Sequence, residues 1–289
     1  MSYQSPEEIL ELPKSRPLAD AGKLILRGLP VRCLTVFQRI TAATEDELSH
    51  ILWISSRTLK TRLRKGRLNP AESDRLYRAA RIIGDALLHF KNDEERVRTW
   101  LRSPASKNHH VFPISLLGTF GGVELVGHYL DRAYFETYLW EKTKKDKARE
   151  KALYGYLDPL AILGLMRSKD IDSEIRRGFP YRSYELFRKR TLFSVTEMTK
   201  ILWVASSTLS KFHSRGRLSG DASDRLYRCA VVYYFTNTMV SDDAKDTQDW
   251  LHDEIPALGS LRPIDLMRTD PGSHEVIATV CRVMDGVGA

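Results

Sequence analysis

Apolar positions recur along this chain at spacings of three and four, the period of a helix with one buried face. Leu48, Ile51 and Leu52 follow Thr44 and Glu47, a hydroxyl at N-cap and a carboxylate three residues on, which predicts a capped helix start. The chain then breaks at Ile54, and Ser55 or Ser56 caps a second helix. That helix runs through Arg57 to Lys65 and stops at Gly66, a residue suited to the left-handed C′ position. Asn69, Pro70 and Glu72 open a long helix with Leu76, Ala79, Ala80, Ile83, Leu87 and Phe90 on its apolar stripe. Asp74 and Arg78 are expected to pair on its outer side. Around this centre the pattern predicts a short helical piece at 7–12 in a loose arm, and helices at 24–29 and 33–40. It predicts others from Asn92 to Leu101, from Pro113, and after Gly122 through Val123, Val126, Tyr129 and Leu130. No stretch alternates with period two, so the fold class is all-α. Trp53, Trp100, Trp203 and Trp250 are expected in the core.

The whole pattern occurs twice. Residues 51–78 read ILWISSRTLKTRLRKGRLNPAESDRLYR, and residues 201–228 read ILWVASSTLSKFHSRGRLSGDASDRLYR. The offset is 150 residues with no gap. It extends from Gly28-Leu29-Pro30 (Gly178-Phe179-Pro180) to Val126 (Val276), with Trp100 on Trp250, Pro113 on Pro263 and Gly122 on Gly272. An offset this long is a duplicated domain, not a solenoid repeat. The expected organisation is an arm over 1–20, a first unit over 21–135, a charged helical linker over 136–170 and a second unit over 171–289. In each unit, two short helices joined by a tight turn form a helix-turn-helix pattern, at about 33–68 and 183–218, whose second helix enters a DNA major groove.

Composition narrows the function. A chain of 289 residues with 42% apolar and 9% aromatic content can build two cores. No apolar run reaches the ~18 residues of a membrane span, and no signal peptide is recognisable at the start. Cys33, Cys229 and Cys281 form neither a disulfide framework nor a metal spacing, which predicts free thiols and a cytoplasmic location. His109-His110 lacks the further ligands of a metal site. There is no Gly-rich phosphate loop, paired carboxylate or nucleophile with a base, so neither an enzyme nor a cofactor is expected. A net charge of +8 suits an anionic partner such as nucleic acid.

The order of these motifs, an RTL-type turn, a basic helix, GRL, SDRLYR, WL, a Pro-led turn and a Gly-led last helix, resembles the Xre/MbcA/ParS antitoxin family. The resemblance covers both units. It implies an Xre-like helix-turn-helix at the front of each unit that binds operator DNA and represses its own operon. It implies a toxin-binding part behind it, at about 69–133 and 219–289. The implied partner is a RES-domain toxin that acts on NAD, neutralised by occlusion of its cleft, often by the antitoxin's C-terminal segment. Family members usually carry one unit and dimerise. Two fused units imply an intramolecular pseudo-dimer or a homodimer.

The units are not equivalent. The candidate DNA-binding residues are Ser56, Arg57, Thr58, Lys60, Thr61, Arg64 and Lys65, with Arg62 on the same helix. Ser56 and Thr58 read equally well as helix caps, and the basic run equally as a solvated face. Ser207, Ser210, Phe212 and Ser214 stand where the first copy has Arg57, Lys60, Arg62 and Arg64. The second copy keeps Lys211, Arg215 and Arg217, enough for weak contact only. The candidate toxin-binding residues are Arg282, Met284, Asp285, Gly286, Val287, Gly288 and Ala289, because the second copy ends like the family while the first continues into Tyr134-Phe135-Glu136 and the linker. Arg75, Arg78, Arg225 and Arg228 are expected to hold the long helices through carboxylates or carbonyls. The competing readings are a helix-turn-helix transcription regulator without a toxin partner, and a toxin partner that has lost DNA binding.

Overall fold

The structure is a computed structural model and describes residues 5–13, 19–104, 111–138, 158–165, 170–240 and 243–286. The chain divides into two compact units, residues 1–141 and 142–289. Among the described residues every regular element is helical, and the only extended pairings are isolated bridges. The first unit holds α1 (Pro6–Ile9), α2 (Ala19–Arg27), α3 (Arg32–Thr41), α4 (Glu45–Leu52), α5 (Ser56–Lys65), α6 (Pro70–His89), α7 (Glu94–Leu101), α8 (Pro113–Leu116) and α9 (Phe120–Tyr138). The second repeats the order as α10 (Asp158–Ile162), α11 (Ile171–Arg177), α12 (Tyr181–Thr191), α13 (Val195–Leu202), α14 (Ser206–Arg215), α15 (Gly220–Met239), α16 (Ala244–His252), α17 (Pro263–Leu266) and α18 (Asp270–Met284).

The two motifs that the copies share most closely meet in space. In the first unit Leu29 N–H donates to Ser73 Oγ at 2.7 Å. Leu68 N–H donates to Leu29 O at 2.9 Å, and Val31 N–H to Gly66 O at 3.0 Å. The Arg67 guanidinium closes the clasp on Gly28 O. The two segments run so close that a Cβ on Gly28 would lie 2.2 Å from Leu68 O, and Gly28 sits at φ +84°. The second unit repeats this with Ser223 Oγ, Leu218, Phe179, Gly216 and Arg217, and with Gly178 at φ +86°. The clasp ties the loop after α5 to the start of α3 and the first turns of α6, which fixes the helix-turn-helix on the long helix.

The long helix is enclosed on more sides than its stripe suggests. α6 touches α1, α2, α4 and α9, and α15 has the matching neighbours. Asp74 and Arg78, expected on an outer side, are buried at 4% and 0% exposure. Arg78 donates to Gly118 O at 3.0 Å and Arg228 to Arg268 O at 2.9 Å, tying each long helix to the turn before the last one. The expected core tryptophans are only half-buried. Trp53 and Trp203 close α4 and α13 as left-handed C-caps at φ +56° and +55°. A residue at such a chain reversal offers one ring face outward and one inward. Here Arg75 lies 4.7 Å over Trp53 and Arg225 lies 4.3 Å over Trp203, while each arginine donates to the carbonyl of Leu52 or Leu202.

The N-terminal piece is docked, not loose. Ser5 and Glu8 close a capping box on α1, and Ile9 and Leu10 are buried against α6. Burial of each such side chain contributes about 1.5–3 kcal/mol. α10 plays the same part against α15, with Leu160 and Leu163 buried. The turns after α1 and α10 bond alike: Leu12 N–H to Glu7 O, and Leu165 N–H to Leu160 O. The duplication therefore reaches further upstream than the ungapped register shows. Of the expected linker at 136–170, residues 139–157 and 166–169 lie outside the described residues, as do His109-His110, while 158–162 form α10. α9 starts at Phe120, two residues before Gly122.

Candidate functional site

The helix-turn-helix of the first unit is built by local caps. Thr44 and Glu47 close the capping box on α4 as their spacing predicts. Ser55 caps α5: Thr58 N–H donates to Ser55 Oγ at 3.1 Å, and the two hydroxyls lie 2.9 Å apart. Leu59, 1% exposed, plugs α5 into the unit. Arg57, Lys60, Arg64 and Lys65 are exposed together with Ser56, the first residue inside the helix. The spacing of 57, 60 and 64 places three cations along one face. Thr58 and Thr61 are half-buried, and Thr61 Oγ1 donates to Arg57 O at 3.0 Å, so these hydroxyls serve the helix itself.

Arg62 does not belong to that face. Its Nε donates to both oxygens of Glu72, at 3.0 and 2.8 Å, and Glu72 is 1% exposed. Glu72 also closes the capping box on α6 with Asn69. Leu63, at 43% exposure, stands out from α5 where the sequence offered no signal.

The second unit keeps the backbone and changes the face. Phe212, 6% exposed, fills the place of Arg62, with Ala222 in the place of Glu72. Ala205 stands at the N-cap of α14 with no side-chain bond. Ser207, Ser210 and Ser214 are exposed. Arg217, expected to touch phosphate weakly, donates from one terminal nitrogen to Gly178 O in the clasp and is otherwise exposed, as are Lys211 and Arg215. The His213 ring meets Tyr181 edge-on at 5.0 Å.

At the chain's other end α18 closes at Asp285, whose N–H bonds Cys281 O at 2.9 Å, and Gly286 follows at φ +71°. Arg282 reaches Thr279 Oγ1 at 2.8 Å and Glu275 at 3.3 Å. Val283 and Met284 are 38% and 52% exposed. Val287, Gly288 and Ala289 lie outside the described residues.

Behind both faces one carboxylate joins the helix-turn-helix to the helices that follow. In the first unit Arg102 binds Glu47 at 2.8 Å and the carbonyls of Thr41 and Ala42. In the second His252 replaces the arginine. Its Nε2 lies 2.6 Å from Glu197 and its Nδ1 2.7 Å from Gln248 O. Both partners only accept, so the two bonds are made together only by the protonated ring. Burial works against the charged ring, but the Glu197 and Gln248 bonds outweigh it and raise the His252 pKa. Burial likewise opposes the Glu197 carboxylate, but its bonds to His252 and Ser194 hold its pKa down.

Nothing in the described residues supplies a metal cluster. The cysteines are free thiols: burial pushes Cys33 up to about 11 and raises Cys229 further. No helix among the described residues is long and apolar enough to cross a membrane.

Two family models match the chain. The antitoxin Xre-like helix-turn-helix domain matches residues 20–81 and again 170–230. The antitoxin Xre/MbcA/ParS C-terminal toxin-binding domain matches residues 236–284. A protein called antitoxin Xre from Yersinia enterocolitica is 32% identical over 114 residues, 38% of this chain and 75% of the relative. Another antitoxin Xre, from Photorhabdus laumondii, is 27% identical over 100 residues, 34% of this chain and 68% of the relative. The exposed helix-turn-helix of the first unit, its repetition in the second and the toxin-binding helices of residues 236–284 thus have one common explanation: this chain belongs to the Xre/MbcA/ParS antitoxin family, in a form that carries the helix-turn-helix twice.

Proposed function

We propose that this antitoxin divides its work between its units. The first unit binds operator DNA and represses its own operon, and the second unit occludes the cleft of a RES-domain toxin that acts on NAD. The chain works in the cytoplasm. The observation that carries this reading is the divergence of two equivalent helices on one shared backbone. α5 presents Arg57, Lys60, Arg64 and Lys65, whereas α14 presents serines at three of those places. Phosphate binding is driven by counterion release, so affinity follows the number of cations on the face. The toxin-binding match supports the second half, because residues 236–284 lie in the second unit. Exposed Val283 and Met284 offer apolar surface at the end of α18 for that contact.

Gel shifts on the chain's own promoter test the first half. The triple variant Arg57→Ala, Lys60→Ala, Arg64→Ala is expected to bind more weakly, with a salt slope flatter by about one for each phosphate that is no longer neutralised. Unchanged affinity and slope would remove α5 as the reading helix. For the second half, deletion of residues 285–289 is expected to release toxin activity in a growth-neutralisation assay. Full neutralisation by that deletion variant would eliminate the plug.

A further inference from the structure

The second unit contains a polar cavity of about 140 Å³ that draws its walls from both matched domains. α13 contributes Glu197 and Lys200, the end of α16 contributes His252, and α17 with its flanks contributes Arg262, Asp265 and Arg268. The volume is roughly that of five liquid waters, room for an inorganic oxyanion or the terminal phosphate of a larger molecule.

The charges inside do not balance one another. Asp265 is taken by Arg262, through two bonds of 2.9 and 2.7 Å. Glu197 is taken by Ser194, at 2.7 Å to both N–H and hydroxyl, and by His252 at 2.6 Å. Lys200 and Arg268 remain as cationic walls with both neighbouring carboxylates already engaged. The Nε of Arg268 is shut off from solvent and has no hydrogen-bond partner. Buried N–H donors are nearly always satisfied, so Arg268 keeps unused donor capacity beside the cavity.

The first unit serves as an internal control. At the same positions it has His50, Arg102, Phe112, Ser115 and Gly118. His50 bonds Ser115 O at 3.0 Å, and the places of Arg262 and Arg268 carry no charge. Arg262 and Arg268 are thus present in one copy only, on a backbone that folds without them.

We infer that this cavity is a binding site for a phosphate-class oxyanion, held by Arg268 and Lys200 beside the His252 ring, between the helix-turn-helix and toxin-binding parts of the second unit. The ligand bridges α13 to α16 and α17, so its occupancy stiffens the joint between the two parts. The site stands independently of which toxin or operator the chain recognises.

The test uses the full chain and inorganic phosphate, followed through the His252 C2 proton resonance, which is assigned by its loss in His252→Gln. A saturable one-site shift is expected in the parent chain. Arg268→Gly, which installs the residue of the first unit, should weaken it at least tenfold. Lys200→Ala, at an exposed position, provides the same comparison should Arg268→Gly fail to fold. Adenosine diphosphate in a parallel titration separates the sources: a matching shift identifies a terminal phosphate, and a shift with inorganic phosphate alone identifies the free ion. No saturable shift with either probe, or equal binding by the parent and both variants, would overturn the site.

Discussion

His252, when protonated, holds the place of the charge that Arg102 makes permanent in the first unit. The linkage has two limbs. The raised His252 pKa gives stability that is complete below the ring's ordinary 6.5 and is lost as pH climbs through its folded-state value. The lowered Glu197 pKa gives stability that is complete above its ordinary 4.5 and is lost as pH falls through its folded-state value. The pair is thus at full strength between 4.5 and 6.5. Arg262 opposes protonation of the ring, and Lys200 stands in the same cavity. His252→Arg is expected to flatten the alkaline limb, seen as a melting temperature that no longer declines past neutrality. A decline equal to that of the parent chain would show that the pair contributes nothing there. The same scale contains the least legible residues. Arg62 reads in sequence as one more groove cation, and only the Glu72 carboxylate ten residues away shows its purpose. Arg217 is a partial parallel, with one terminal nitrogen on the Gly178 carbonyl.

At the scale of the element, α5 and α14 are the same helix solved in two ways. The first unit joins it to α6 by the Arg62–Glu72 ion pair, and the second has buried Phe212 and Ala222 at those two places. Removing one partner from a buried pair is costly, whereas exchanging both for a packed apolar pair is often neutral. Glu72→Ala should therefore destabilise by about 2–3 kcal/mol, from a stranded guanidinium and a broken capping box. Adding Arg62→Phe should recover most of it in urea unfolding. No recovery would mean that the second unit's solution depends on further residues. The N-cap supplies the converse case. Ala205→Ser installs the side chain that Ser55 uses, and it should stabilise the second unit by about 0.5–2 kcal/mol. An unchanged denaturation midpoint would mean that water already satisfies those amides.

At the scale of the molecule, duplication puts one clasp into two units with different exposed faces. Gly28 and Gly178 each hold a left-handed backbone against a carbonyl oxygen, with no room for a methyl group. Alanine at either position is expected to cost about 1–3 kcal/mol through the same physical defect. The consequences should differ: Gly28→Ala weakens promoter binding, and Gly178→Ala weakens toxin neutralisation. Equal damage to both activities from either variant would show that the two units do not divide the work.

The helices, their caps and the duplication are all legible in the order of residues, because capping boxes, apolar periodicity and C′ glycines act within a few residues of chain. Thr44 with Glu47, Asn69 with Glu72, and Gly66 sit where local chemistry puts them. The exposed cations of α5 were legible for the same reason. Which charges remain for a partner was settled only when the chain folded. Arg62, Arg78 and Arg217 found acceptors 10 to 40 residues away, Asp74 went inside, and Trp53 became a cap with an arginine on its face. A side chain's polarity is set by its own atoms, but its availability is set by whichever distant carbonyl or carboxylate the fold brings within hydrogen-bonding reach.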